Sequence, residues 1–294
     1  MVLNKVFVLY RILFINNFPK IYRPSSSPYL TGDSLRNFAD FVFDETQSFN
    51  PKKVKTNDVV FLKTDLKTIF FENYHPLINS SYILITHNSD FSIEKKDLEY
   101  IDEKILHWFA AKLNVKSTDK ISAIPYGIEN KRYLKNGILK NFKNALRNNI
   151  NKIDNNKVLC SFNVYSNPLH REPLKEIANK RMDLFDIKNF DNSKEYLLEL
   201  GSYKFNLCPE GNNFESHRIW EGLILNTIPI VESNIVNKNF ENLGVPMIIL
   251  ENFSELKYLQ YKDLEIMNEK NKDKNFRIFT SLDYWINTIN SKKI

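Results

Sequence analysis

The sequence predicts an α/β protein of two facing Rossmann-like domains. Three observations carry this. Short apolar, β-rich runs alternate with segments whose apolar residues recur every three or four positions, the pattern of a parallel sheet with helices on its faces. A Lys- and Asn-rich stretch, residues 136–157, interrupts the alternation, which then restarts. The chain has 294 residues, the length of about two ordinary domains.

The elements follow in order. Residues 2–15 are apolar but interrupted by Asn4, Lys5 and Arg11. A spanning helix needs ~20 mostly apolar residues, and Asn16-Asn17-Phe18-Pro19 offers no small-residue cleavage site of the kind a signal peptide carries. The stretch is expected to be a buried first strand, with a membrane-surface segment as the alternative. Asp33 is expected to cap a helix carrying Phe38 and Phe41. Residues 59–62 read as a short strand, and 82–86 as a strand covered on both faces, because its apolar run is continuous. Leu98, Ile101, Ile105, Trp108 and Phe109 are spaced as an amphipathic helix. Residues 121–125 form a third strand candidate. Leu139, Phe142, Leu146 and Ile150 mark a helix, followed by a polar linker.

In the second half, 158–164 reads as a strand and 168–180 as a helix. Asn192 with Glu195 has capping-box form and opens a helix through Leu200. Strands are expected at 204–208, 228–231 and 247–250, and a helix at 216–225. The domains are then 1–140 and 141–275, and a cleft between two such sheets suits a two-substrate reaction.

Composition excludes several classes. A hydrophobic content of 43% is too high for a disordered chain. Two cysteines, Cys160 and Cys208, are too few for a disulfide scaffold or a Cys-based zinc cluster, and they fit a reducing cytoplasm. The net charge of +6 suits anionic partners such as nucleotides, nucleic acid or an acidic membrane. The charge does not choose among these partners. The one short basic run, Lys52-Lys53-Val54-Lys55, reads as a solvated loop and not a nucleic-acid arm.

The densest polar cluster, 208–223, lies between a predicted strand and a predicted helix. Gly211 suits a tight turn or a close approach to a ligand. The helix start favours phosphate through its unpaired N–H groups and partial positive charge. Arg218 lies in its first turn, where an anion would offset the unfavourable dipole contact, and its donor fork suits a diphosphate. Glu221 lies one turn beyond His217 on the same face, where a carboxylate could accept both hydroxyl hydrogens of a ribose. The bland alternative is a solvent-facing helix start with Arg218 and Glu221 paired at the surface. Trp220, Leu223 and Ile224 speak instead for a helix packed on a sheet.

Residues 203–231, "YKFNLCPEGNNFESHRIWEGLILNTIPIV", resemble the signature of exostosin-type glycosyltransferases, family 47 and its relatives. Asn226-Thr227 stands where that signature carries a small residue or Gly, at a helix end where Asn also tolerates a left-handed backbone. The likeness extends to Asn163-Val164-Tyr165-Ser166-Asn167-Pro168 and to Tyr284-Trp285-Ile286. Gly32-Asp33-Ser34 and Thr86-His87-Asn88-Ser89-Asp90 are similar to bacterial and viral members of the family.

The resemblance implies the GT-B fold, with residues 276–294 crossing back over the first domain. It also implies inverting transfer from a nucleotide sugar, UDP- or GDP-linked, to a hydroxyl of a glycan or glycoconjugate, with the donor as substrate and no separate cofactor. Carried over by position, Arg218 neutralises the leaving diphosphate and Glu221 binds the ribose. Glu210, Gly211 and Asn212 line the loop under the phosphates, with His217 nearby. The expected setting is cytoplasmic, with peripheral membrane contact as an option.

No two aspartates are two residues apart, so the Asp-x-Asp metal motif of other sugar transferases is missing, and no metal ligands are expected. The catalytic base is expected from the first domain, as His87, Asp90 or Asp33. His87 is favoured on acid–base strength, with Asp90 orienting it. The alternative reading is an inactive nucleotide-sugar or glycan binder lacking a working base.

Overall fold

The computed structural model describes residues 23–148 and 156–294. The first strand expected within 2–15, and residues 149–155 of the expected helix and linker, Ile150 among them, lie outside the described residues.

The first sheet is parallel throughout and ordered β1-β2-β3-β4-β5. Its strands are β1 (Phe41–Phe43), β2 (Val59–Lys63), β3 (Tyr82–His87), β4 (Ile105–Ala110) and β5 (Ile121–Ala123). Every residue of β3 is buried, which is why its sequence is a continuous apolar run and not an alternation. Helices α1 (Gly32–Phe38) and α2 (Lys67–Asn73) accompany this sheet.

Two expectations fail here. The helix predicted from the spacing of Leu98 to Phe109 is a short 3-10 turn, Lys95–Tyr100, followed by strand β4. Trp108, Phe109, Ala110 and Ala111 are all buried in sequence, and the Trp108 indole N–H donates to Thr86 Oγ1 at 2.9 Å. A strand buried on both faces has no periodicity of its own, so spacings of three and four arise by chance. Likewise α1 ends at Phe38, and Phe41 opens β1. The cap of α1 is Thr31, whose side chain accepts the Ser34 N–H, while Asp33 lies in the first turn.

Helix α3 (Leu139–Asn148) leads to the second unit. This contains β6 (Val158–Cys160), α4 (Pro168–Lys180), β7 (Phe185–Ile187), α5 (Ser193–Leu200) and β8 (Phe205–Leu207). It continues through α6 (His217–Ile224), β9 (Ile228–Glu232), α7 (Ile235–Asn242), β10 (Ile248–Leu250) and α8 (Tyr261–Asn268). The Asn192 side chain accepts the Glu195 N–H and caps α5 as expected. The three-residue strands β1 and β7, and helices α7 and α8, were not anticipated; runs this short carry little pattern.

The second sheet is parallel and ordered β10-β9-β8-β6-β7. The chain leaves β6 for β7 on one side, then crosses to β8 on the other. The order therefore reverses between β6 and β8, and a crevice opens there at the carboxyl ends of the strands. The last helix, α9 (Leu282–Asn290), returns to the first unit. Leu30 N–H donates to Thr280 O at 2.8 Å, and Leu282 N–H to Pro28 O at 2.9 Å. Trp285 is buried, and the Ile294 N–H reaches Asn57 Oδ1. Two parallel-sheet units with a returning C-terminal helix form the two-unit α/β architecture that the sequence predicts.

Candidate active site

The loop that follows β8, residues 208–216, is held at the switch point by Arg171 of α4. This guanidinium is almost fully buried and donates Nε to Glu210 O at 2.7 Å, Nη1 to Asn163 O at 2.7 Å and Nη2 to Pro209 O at 3.2 Å. It thereby ties the loop after β6 to the loop after β8. All three bonds go to backbone carbonyls, so Arg171 supports the site's frame. Burial, with Arg218 close by, lowers it to about 10, and it stays charged at neutral pH. Asn167 adds a bond from Nδ2 to Gly211 O at 2.9 Å. Gly211 is not demanded by the backbone, which is not left-handed there, nor by space, because an added Cβ would meet Arg171 Nη2 at 3.4 Å.

Ser216 caps α6, its hydroxyl accepting the Arg218 N–H at 3.2 Å. Arg218 donates Nε to Ser161 O at 2.7 Å, across the crevice between β6 and β8. Its two terminal nitrogens make no hydrogen bond to the described residues. Arg218 borders a cavity of about 1150 Å³. Glu221, one turn further along α6, lines the same cavity and is buried. Burial pushes its carboxyl up to about 7, against the pull of Arg218. Tyr196 of α5 also borders the cavity; it lies near enough to affect Glu221, though its hydroxyl forms no complete hydrogen bond.

Gly211, Asn212, His217, Arg218 and Glu221 therefore share one cavity. Glu210 does not line it: its Oε1 accepts from Asn234 Nδ2 at 2.8 Å, and its contribution is the carbonyl that Arg171 holds. His170, beside Arg171, is exposed.

The first unit contributes Asp90, Lys112 and Tyr126 to the cavity. Of the three residues expected to supply a base, only Asp90 reaches it, and Lys112 Nζ holds its Oδ1 at 2.9 Å. The expected His87–Asp90 pair does not form. His87 is buried at the end of β3, Nε2 lies 3.1 Å from Pro125 O, and Nδ1 accepts the Asn88 N–H at 2.7 Å. Burial lowers it to about 4. Asp33 is fully buried against Arg132, 3.3 Å away, and accepts from Asn88 Nδ2 at 3.0 Å; burial raises its carboxyl despite these partners.

Sequence reasoning missed Glu215 and Tyr126. Glu215 Oε1 accepts the Tyr126 N–H at 2.6 Å, across the two units, and the Trp220 indole N–H at 2.5 Å. Its Oε2 is buried without a partner, and burial raises the carboxyl to about 7. Two further bonds cross at this place: Asn213 Nδ2 to Asp90 O at 2.5 Å and His217 Nδ1 to Gly127 O at 2.6 Å. Glu215 stands two residues before His217 in the polar cluster, so its neighbourhood was visible but its burial was not. Among the described residues no group of three or more His, Cys, Asp or Glu is placed to hold a metal ion, and no helix is long and apolar enough to cross a membrane.

The fold is similar to that of an alpha,alpha-trehalose-phosphate synthase (UDP-forming) from Burkholderia vietnamiensis, with a TM-score of 0.41 and 8% identity over 88% of this chain and 77% of that one. No curated protein matches the sequence. The model of the RXYLT1 C-terminal domain family matches residues 139–292, which takes in the whole described second sheet, α6 and the returning helix. That match spans just over half of the chain, and the protein belongs to the RXYLT1 C-terminal domain family.

Proposed function

We propose that the protein transfers a sugar from a nucleotide-sugar donor to a hydroxyl of a glycan or glycoconjugate acceptor, with inversion and without a divalent metal. Its family and fold are glycosyltransferase-like. The observation that carries the finer reading is Arg218, with two unbonded guanidinium nitrogens at the start of α6, one turn before the buried Glu221, on a large cavity at a sheet switch point. In this reading the diphosphate lies against Arg218 and the α6 start, and the ribose against Glu221. The fork of Arg218 meets the charge that grows on the departing diphosphate. The exostosin-like motif falls inside the family match and supports the same assignment. The missing Asp-x-Asp pattern supports the metal-free form.

Calorimetric titration with UDP and GDP tests this reading, followed by a panel of UDP- and GDP-sugars that includes UDP-xylose, because the family is one of xylosyltransferases. One nucleotide diphosphate should bind at the Arg218 cavity, and Glu221→Gln should weaken it. Binding that is absent, or unchanged in Glu221→Gln, would reassign the pocket. An inactive binder is favoured by His87 and Asp33 lying away from the cavity; release of sugar from a donor separates the two readings.

A further inference from the structure

The geometry points to His217 Nε2 as the group that takes the proton from the acceptor hydroxyl, with the first unit's Gly127 carbonyl holding the ring in the tautomer that makes this possible. The inference rests on the transferase reading above.

A carbonyl oxygen only accepts, so the contact of 2.6 Å between His217 Nδ1 and Gly127 O places the hydrogen on Nδ1. The lone pair is then on Nε2, which makes no hydrogen bond to the described residues. His217 is half-buried and lines the cavity that Arg218 and Glu221 border. Its ring packs against Tyr126, centroid to centroid 4.9 Å, and Tyr126 stacks in turn on His87 at 5.1 Å. The ring is therefore held from the side as well as through Nδ1.

The other buried histidines differ in the respect that matters. His87 carries its hydrogen on Nε2, facing Pro125 O, and spends its lone pair on the Asn88 N–H. His75 uses both nitrogens, on the Tyr82 hydroxyl and Asp102, and His107 uses both, on Asp119 O and Ser122 Oγ. Glu215 has an unpaired Oε2, but that oxygen is sealed from solvent. Asp90 is exposed and held by Lys112.

The surroundings keep His217 neutral and able to accept a proton. Burial lowers its pKa, and Lys112 and Arg218 add to this; the Gly127 bond and Glu129 oppose it. Its place in the first turn of α6 works in the same direction as burial. A bound diphosphate would bring negative charge and raise its proton affinity. In the step itself, the acceptor oxygen bonds to the anomeric carbon while the bond from that carbon to the diphosphate oxygen breaks. The electron pair leaves with the diphosphate, and the hydroxyl proton passes to Nε2, from which water later removes it. The base thus belongs to the donor-side unit and is oriented by the other unit. It is ready only when the two face each other as they do here.

The test uses the full chain. Side-chain nitrogen NMR should show His217 with Nδ1 protonated and Nε2 bare, and His87 with the opposite tautomer; the reverse at His217 overturns the inference whatever the activity. His217→Gln should keep UDP or GDP affinity within about threefold and lose ~10²-fold or more in turnover. It should also flatten the acid side of the pH–rate profile, and added imidazole should restore part of the turnover of His217→Ala. Turnover at the wild-type level in His217→Gln, or nucleotide affinity falling as far as turnover, overturns it. So does loss of turnover in Asp90→Asn together with its retention in His217→Gln. A wild-type chain that binds no nucleotide diphosphate overturns the transferase reading and the base with it; a wild-type chain that turns over while His217→Gln does so equally overturns the base alone.

Discussion

Arg218 and Glu221 line one cavity, and no ion pair joins them among the described residues. Among the described residues the Arg218 side chain has one hydrogen bond, from Nε to Ser161 O, and the residue lines the cavity. Removing a charge-assisted contact to a diphosphate costs ~2–5 kcal/mol, so Arg218→Ala should lower turnover by ~30-fold or more. Arg218→Lys should recover little, because a point charge cannot serve Ser161 O and a diphosphate at once. Steady-state kinetics on folded variants decides this; near-normal turnover would remove Arg218 from the mechanism. The two buried carboxylates set a pH signature. Glu215 and Glu221 titrate near about 7 in the fold, against an ordinary value of 4.5. Between those values the folded chain holds protons that the unfolded chain has lost, so each carboxyl erodes stability as pH rises through that window. His87 and His107, lowered to about 4, act in the opposite sense from about 4 up to their ordinary 6.5. The measurable quantity is therefore a difference. The melting temperature of Glu221→Gln minus that of the wild type should grow from pH 4.5 to 7 and level off above it; a constant difference would show that Glu221 is not perturbed.

At the scale of elements, α6 brings His217, Arg218 and Glu221 to the cavity, and both of its ends are specified locally. Ser216 caps its start. Just past its end Asn226 takes a left-handed backbone, φ 58°. That is the position where the exostosin-like signature carries a small residue or Gly, and Asn serves because its short polar side chain tolerates this region. Asn226→Ala should cost about 1 kcal/mol in urea denaturation, and Asn226→Gly should cost nothing; equal losses would mean that the Asn side chain, not the backbone, matters there. The Asn226 turn and the Asn192 cap of α5 were legible from the sequence, whereas the cap expected at Asp33 is made by Thr31. The stretch from Leu98 to Phe109 was not legible, because a strand buried on both faces leaves no periodicity to read.

For the whole molecule, the site exists because two parallel sheets face each other and one of them reverses its strand order between β6 and β8. If, as proposed, a guanidinium and a helix start serve the diphosphate, activity should survive EDTA. Complete loss, restored by Mn²⁺ or Mg²⁺, would contradict the metal-free form of the proposal.

The linear sequence by itself determined the α/β class, the restart of the pattern after residue 157, and the polar cluster that carries Arg218 and Glu221. Local signals carry these: a strand–loop–helix motif, a cap and a run of apolar residues each lie within about twenty positions of chain. The tertiary structure decided which polar residues of the first unit reach the cleft. His87 ends β3 and stacks on Tyr126, Asp33 lies in the first turn of α1 sealed against Arg132, and only Asp90 reaches the cavity. It also decided the burial of Glu215 and the bond from His217 to Gly127, which join residues about 90 positions apart. Burial and the use of a nitrogen lone pair depend on what the rest of the chain brings alongside, and no local pattern encodes that.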